Sequence, residues 1–412
     1  VLLPSKRGGT ELAYKCYSLK NDTHMTNLGK SIGAARRDLQ DAIRRRHWIF
    51  GALDADKILN LMQNAFGFVF SREHAGRVPS VVKIDISPLC TLRCPTCVHA
   101  DASAISRPLL EAQSFRKSDV MHVDQFTRII DQIRGKALAV SLFYYGDPLT
   151  NPRVDEMCGI ARRAGLSVHI TTHFSYDLSD TRIERIAKSG LTHLTVAIDG
   201  ATQESYATTR IGGRLDWVMS NLQRLASYKQ EHGLKHPIIE VQHIKHPHHA
   251  ADEEENVKAR SFIPGVNSFT SFVGVRYDKD GALFNIVDAD LSAFTFGKPK
   301  TRSILPKCHW PFSAMVVKSN GDVIACCMHR EARQHTNLPG QAVLGNVFTQ
   351  TISKIWNGTE YQKIRRLAAD PARSVSDAAL RESYCYGCAR LITRVPVTTK
   401  PQFPVPVVTV RD

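Results

Sequence analysis

With 412 residues, 43% hydrophobic and 23% charged, the chain is long enough for one large domain and a smaller one, and disorder is not its default state. No run of apolar residues reaches the roughly 18 a membrane span needs, and Pro4 interrupts the apolar start "VLLPSKRGGTEL", so neither a membrane span nor a signal peptide is expected and a cytoplasmic protein is. The formal charge of +15 is uneven: residues 1–83 hold 14 Lys and Arg against 7 Asp and Glu, residues 298–412 hold 17 against 7, and the middle is nearly neutral. Basic flanks suit an acidic partner such as RNA or a nucleotide-linked substrate, but no aromatic-interleaved basic stripe accompanies them, so nucleic acid is not the expected partner.

In chain order, "MTNLGKSIGAARRDLQDAIRRRHWIF" (25–50) spaces Leu28, Ile32, Leu39 and Ile43 for a basic amphipathic helix, and residues 1–80 are expected to form a helical extension. From residue 81, short β-branched runs alternate with longer amphipathic stretches. The expected strands are 81–86, 138–143, 167–172, 193–198, 238–243 and 269–273, with helices such as "VDQFTRIIDQIR" and "LDWVMSNLQRLASYKQ" between them. That alternation predicts an α/β fold, a partial (β/α)6 TIM-like barrel over 81–297 with its site at the C-terminal strand ends. A small C-terminal domain (298–395) and a Pro-rich tail (396–412) complete the division.

Ten cysteines are too sparse for a disulfide scaffold, and most fall in tight clusters that suit reduced, metal-binding thiols. "KIDISPLCTLRCPTCVH" (83–99) puts Cys90, Cys94 and Cys97 in a C-x3-C-x2-C run just past the first strand. Four thiolates close a metal's coordination, whereas three leave one position open for water or substrate. A zinc knuckle completed by His99 is the rival arrangement. The second group, Cys308, Cys326, Cys385 and Cys388, has enough donors for one fully ligated centre, either an iron–sulfur cubane or a zinc ribbon.

The Cys90 loop and the strands after it resemble the radical S-adenosylmethionine (SAM) enzymes. The resemblance implies that Cys90, Cys94 and Cys97 hold a [4Fe–4S] cluster whose fourth iron chelates SAM, and that the cluster cleaves SAM to a 5′-deoxyadenosyl radical. "YYGDPLTNP" (144–152) resembles the family's G-E-P stretch, which assigns Tyr145, Gly146, Asp147 and Pro148 to SAM, with Asp147 where Glu is usual. "ITTHFS" (170–175) resembles its ribose-contacting segment, Thr172 included, with His173 in place of the common Asn. "AIDGATQESYATTRIGG" (197–213) resembles S-I-D-G…Y…R-x-G-G, which brings in Asp199 and places Arg210 at the SAM carboxylate. Cys308, Cys326, Cys385 and Cys388, with "LGNVFTQTISKIWNGTEYQKIR" (344–365) between the halves, resemble the SPASM or shortened twitch auxiliary domain, which implies a second [4Fe–4S] cluster.

On this reading Cys16, Cys158 and Cys327 hold no metal. Cys327, beside a cluster ligand, is the candidate catalytic hydrogen donor to a substrate radical. The expected substrate is a carbohydrate-type small molecule, epimerised or dehydrogenated, with an electron donor such as flavodoxin or ferredoxin. A peptide-modifying enzyme and an RNA-modifying enzyme are the alternatives. "HIKHPHHAADEE" (243–254) and Arg276 follow late strands, where they could reach hydroxyls or phosphate.

Overall fold

The computed structural model describes residues 46–47, 53–95, 97, 99, 115–246, 249–273, 305–326, 343–386 and 391. The chain divides into units 1–47 and 48–412, and the sheet with all its helices belongs to the second. The first element of that unit is α1 (Ala55–Val69). Six parallel strands come next, β1 (Val81–Ile84), β2 (Ala139–Ser141), β3 (Ser167–Thr172), β4 (His193–Ala197), β5 (Ile238–Lys245) and β6 (Ser268–Val273), each overlapping its expected span. The helices between them are α2 (Val123–Ile133), α3 (Val154–Arg163), α4 (Asp180–Lys188), α5 (Gln203–Thr209), α6 (Leu215–Glu231) and α7 (Glu253–Ser261).

Local chemistry accounts for these helices. Phe126, Ile129, Ile130 and Ile133 of α2 recur at helical spacing and are all buried, so one face is committed to the sheet. The Ser179 side chain caps α4 by accepting the Arg182 N–H at 3.2 Å. Gly190, with φ +88°, turns the chain from α4 to β4 where a side chain would collide with Arg162.

The sheet does not close into a barrel, and it does not stop at six strands. After α8 (Trp310–Ser313), strand β7 (Ala314–Val317) pairs in parallel with β1, and β8 (Asp322–Ile324) and β9 (Gly345–Asn346) continue antiparallel. The result is one nine-stranded sheet in the order β6-β5-β4-β3-β2-β1-β7-β8-β9. The cysteine-bearing C-terminal segment is thus built onto the edge of the same sheet, followed by α9 (Ile352–Trp356), α10 (Thr359–Ala369) and α11 (Ala378–Arg381).

Strand parity separates two environments. Val82, Val140, Val168, Ile170, Leu194, Val196, Ile239 and Val241 pack into the hydrophobic core under the helices. Lys83, Ser141, His169, Thr195 and Glu240 have the other parity and make the polar face of the sheet. No helix among the described residues is long and apolar enough to cross a membrane.

Candidate functional site

The cysteine loop leaves the C-terminal end of β1 and is fastened at several points. Asp85 N–H donates to Val317 O at 2.8 Å, Met121 N–H to Ile86 O at 3.0 Å, and Asp147 N–H to Leu89 O at 2.8 Å. Gly146 lies so close to the loop that a Cβ there would come within 2.1 Å of Leu89 O, which explains the glycine in "GDP". On the other side Arg93 N–H donates to Ile211 O at 2.9 Å, docking the turn after α5 onto the loop.

Cys90, Cys94 and Cys97 are half-buried and reduced. Burial, then the Asp147 carboxylate and the neighbouring thiols, push Cys90 well above the ordinary thiol range against a Leu92 N–H bond that pulls it down. Cys94 is raised by burial although Arg210 draws it down by charge and hydrogen bonding. Thiols in such surroundings ionise against a cation, and that donor set suits an iron cluster. Among the described residues no three His, Cys, Asp or Glu side chains converge as a single ion requires, so the His99 knuckle is not assembled. A cubane makes no such demand, because each thiolate takes its own iron and the sulfurs stand apart.

The residues assigned to SAM surround this loop, with their side chains turned to one another. Asp147 is 5% exposed, and its carboxylate accepts Thr172 Oγ1 at 2.8 and 3.0 Å, His173 N–H at 2.9 Å and Leu149 N–H at 2.9 Å. Tyr145 is buried, packed on Tyr144 at 4.3 Å between ring centroids and on Phe115 at 5.3 Å, and Pro148 starts a buried 3-10 turn. Asp199 accepts Arg210 Nε at 2.7 Å and Ile244 N–H at 2.9 Å, so Arg210 arrives at Cys94 already ion-paired. His173 Nδ1 accepts Ser175 N–H at 3.0 Å, and burial lowers its pKa although Asp147 raises it, leaving a neutral ring with Nε2 3.4 Å from Thr91 Oγ1.

In the C-terminal segment Cys308 precedes α8, Cys326 follows β8 and Cys385 lies in the turn after α11. Tyr384 Oη donates to Cys326 O at 3.2 Å, tying the turn to the hairpin. Cys327, Cys388, Cys16, His248 and Arg276 lie outside the described residues.

Sequence reading passed over the polar face of the sheet. His169 bridges Ser141 Oγ at 3.0 Å and Thr195 Oγ1 at 2.9 Å, while Glu240 bonds His193 Nε2 at 2.9 Å and accepts Thr270 Oγ1 at 2.6 Å. Above this buried floor Lys83, Phe143, Thr171, Gln242 and Thr270 are half-buried, with Lys83 Nζ 3.8 Å from the Phe143 ring centroid. The signal was present as parity: Lys83 and Asp85 in "VVKIDI" and His169 and Thr171 in "SVHITT" alternate with apolar residues.

Residues 84–252 match the Radical SAM superfamily and residues 308–389 match SPASM, an iron-sulfur cluster-binding domain. The chain belongs to the radical SAM superfamily. Its two matched domains imply SAM with a [4Fe–4S] cluster in the first and auxiliary iron–sulfur binding in the second. A PqqA peptide cyclase from Streptomyces rochei is 27% identical over 136 residues, 32% of this chain and 34% of that one. An AdoMet-dependent heme synthase from Methanosarcina barkeri is 25% identical over 132 residues, again 32% and 34%. The chain therefore spans about a third of the length of these curated relatives. Among solved structures, Streptococcus suis SuiB bound to the precursor peptide SuiA has a TM-score of 0.53 at 12% identity, covering 82% of this chain and 80% of that one. This likeness shows that the radical SAM chain shares that fold.

Proposed function

We propose that this radical SAM enzyme abstracts a hydrogen atom from a carbinol carbon of a carbohydrate-type substrate and inverts that centre. The polar face of the sheet carries the reading: its half-buried side chains include Lys83, Gln242 and the Thr171 and Thr270 hydroxyls, the last two bonded to His169 and Glu240 beneath them, and Phe143 is the aromatic member among them. Hydroxyl-rich ligands are held by such donors and acceptors, which an apolar side chain would leave unpaired. His169, His193 and Glu240 are already bonded to neighbours and form a fixed floor, leaving recognition to the residues above them.

Cys90, Cys94 and Cys97 would hold the first cluster, with Arg210, Asp199, Thr172 and the 145–148 stretch around SAM; Cys308, Cys326, Cys385 and Cys388 would hold the auxiliary one. When bound, the first cluster and SAM supply a carbon-centred radical that removes a hydrogen atom. Cys327 is then the donor: its S–H bond breaks, a C–H bond forms on the opposite face of the substrate carbon, and the thiyl left behind is restored by one electron from a flavodoxin- or ferredoxin-type reductant and one proton from solvent. Such transfer requires the thiol within about 3–3.5 Å of the radical carbon. Cysteines that fall mostly in metal-binding clusters, free of disulfides among the described residues, suit a cytoplasmic setting.

A peptide substrate is the second reading, favoured by the relative named PqqA peptide cyclase. Reconstituted enzyme, SAM and reductant in deuterated buffer with a panel of sugars distinguishes the two. One deuterium at an inverted carbinol carbon is expected, and it should be lost with Cys327→Ala. A ketone without deuterium would replace epimerisation by dehydrogenation, and 5′-deoxyadenosine formed with peptides alone would overturn the carbohydrate reading.

A further inference from the structure

Two tyrosines in this chain share an unusual situation. Tyr206 is fully buried on α5, and its hydroxyl has no hydrogen-bond partner among the described residues. Tyr361 is fully buried on α10, and its hydroxyl is likewise without one. Buried hydroxyls are ordinarily satisfied, so these two, both fully buried, call for an acceptor. Each tyrosine is followed four residues later by an arginine: Arg210 ends the helix that carries Tyr206, and Arg365 lies one turn on from Tyr361 in the same helix.

Each tyrosine also stands beside one set of thiols. Tyr206 feels the charges of Arg210, Asp199 and Cys94, and its turn is fastened to the cysteine loop through Arg93 N–H to Ile211 O. It is held in place by Gly213, where a Cβ would meet its Cε1 at 2.7 Å. Tyr361 feels Arg365, Cys385 and Cys326. Arg365 is 1% exposed and donates to Pro311 O at 2.9 Å and Glu73 O at 2.7 Å. Its guanidinium has no carboxylate partner among the described residues, and its Nη2 has no hydrogen-bond acceptor there. Three aromatic rings surround it, with the guanidinium carbon 4.5 Å from the Trp356 centroid, 5.4 Å from Tyr361 and 5.9 Å from Phe312.

We propose that each cluster is flanked by a fully buried tyrosine whose hydroxyl donates a hydrogen bond to a cluster sulfur, Tyr206 at the SAM cluster and Tyr361 at the auxiliary cluster. Arg365 braces the Tyr361 ring from the same helix, whereas Arg210 is shared with Asp199. The inference rests on the assignment of the seven thiols to two clusters. A donor to sulfur stabilises the reduced, more negative cluster, so removing it lowers the reduction potential.

The test uses reconstituted full-length protein carrying Tyr206→Phe or Tyr361→Phe, which keep the ring and remove one oxygen. Redox titration followed by electron paramagnetic resonance should show the potential of one cluster moving negative in each variant while the other stays put, with iron content unchanged. Pulsed measurements on wild type in H2O and D2O should show an exchangeable proton coupled to each cluster, and each variant should lose its own. Unchanged potentials, a shift that keeps the exchangeable proton, or a Tyr206→Phe effect confined to SAM affinity would overturn the proposal. So would the absence of that proton in wild type, which needs no variant to fold. Iron that fails to fall in the cysteine variants would instead refute the thiol assignment.

Discussion

Asp147 binds three pieces of the site together, because its one carboxylate accepts from the end of β3, from the His173 backbone and from its own 3-10 turn. Asp147→Asn replaces charge-assisted acceptors with a weaker one and should cost about 2 kcal/mol, read as a fall in the denaturant midpoint at constant slope. Arg210 shows how structure changes an expectation. Motif resemblance points it at the SAM carboxylate, yet in the fold it is committed to Asp199, which is 2% exposed. Arg210→Ala should therefore cost about 3 kcal/mol by stranding a buried carboxylate, and adding Asp199→Asn should return part of it. With iron content unchanged, SAM affinity should also weaken, measured by equilibrium dialysis. His173 gives a pH dependence: its folded-state pKa is held below the ordinary 6.5 by burial, so the unfolded chain binds the proton first. Stability is then fully present above pH 6.5 and is lost as pH falls below it toward the folded value, and His173→Asn should flatten that limb in acid denaturation. None of these partners was legible in the sequence, since motif letters name residues without saying what they face.

At the scale of elements, the strands β1 to β6 were legible because each is a short β-branched run bounded by turn signals. Strand β7 was not foreseen as part of the same sheet. "AMVV" is too short to reveal its neighbour, and its pairing with β1 brings together residues more than two hundred positions apart. Helix α1 is inverted relative to a hydropathy reading. It buries Lys57, Asn60, Asn64 and Gly67 while Ile58, Leu59, Met62 and Phe66 are exposed. The buried amides have specific partners: Asn60 Nδ2 donates to Val78 O at 3.0 Å and Asn64 Oδ1 accepts Gly76 N–H at 2.8 Å, feeding the approach to β1. Asn60→Leu, which a simple apolar-inside rule would favour, should instead destabilise by about 2 kcal/mol by leaving backbone groups unpaired, measured by thermal or urea unfolding.

Across the whole molecule, the continuous sheet gives the two cysteine groups a common scaffold, because β1 carries the first loop from its C-terminal end and its neighbour β7 leads into the hairpin that ends at Cys326. The two groups were readable from spacing alone, since thiol clusters are rare and their chemistry is narrow. Substrate was not, because recognition falls to side chains of one parity on several separate strands, and no contiguous motif records them. The proposed assignment gives seven thiols to two four-iron clusters, one of which cleaves SAM. Its most direct measurement is iron and zinc content, with 5′-deoxyadenosine formation, for anaerobically reconstituted wild type and the Cys90→Ala/Cys94→Ala/Cys97→Ala variant. About eight irons and SAM cleavage in the wild type, falling to about four irons and no cleavage in the variant, are predicted. Stoichiometric zinc at the C-terminal cysteines, or SAM cleavage that survives the triple substitution, would contradict it.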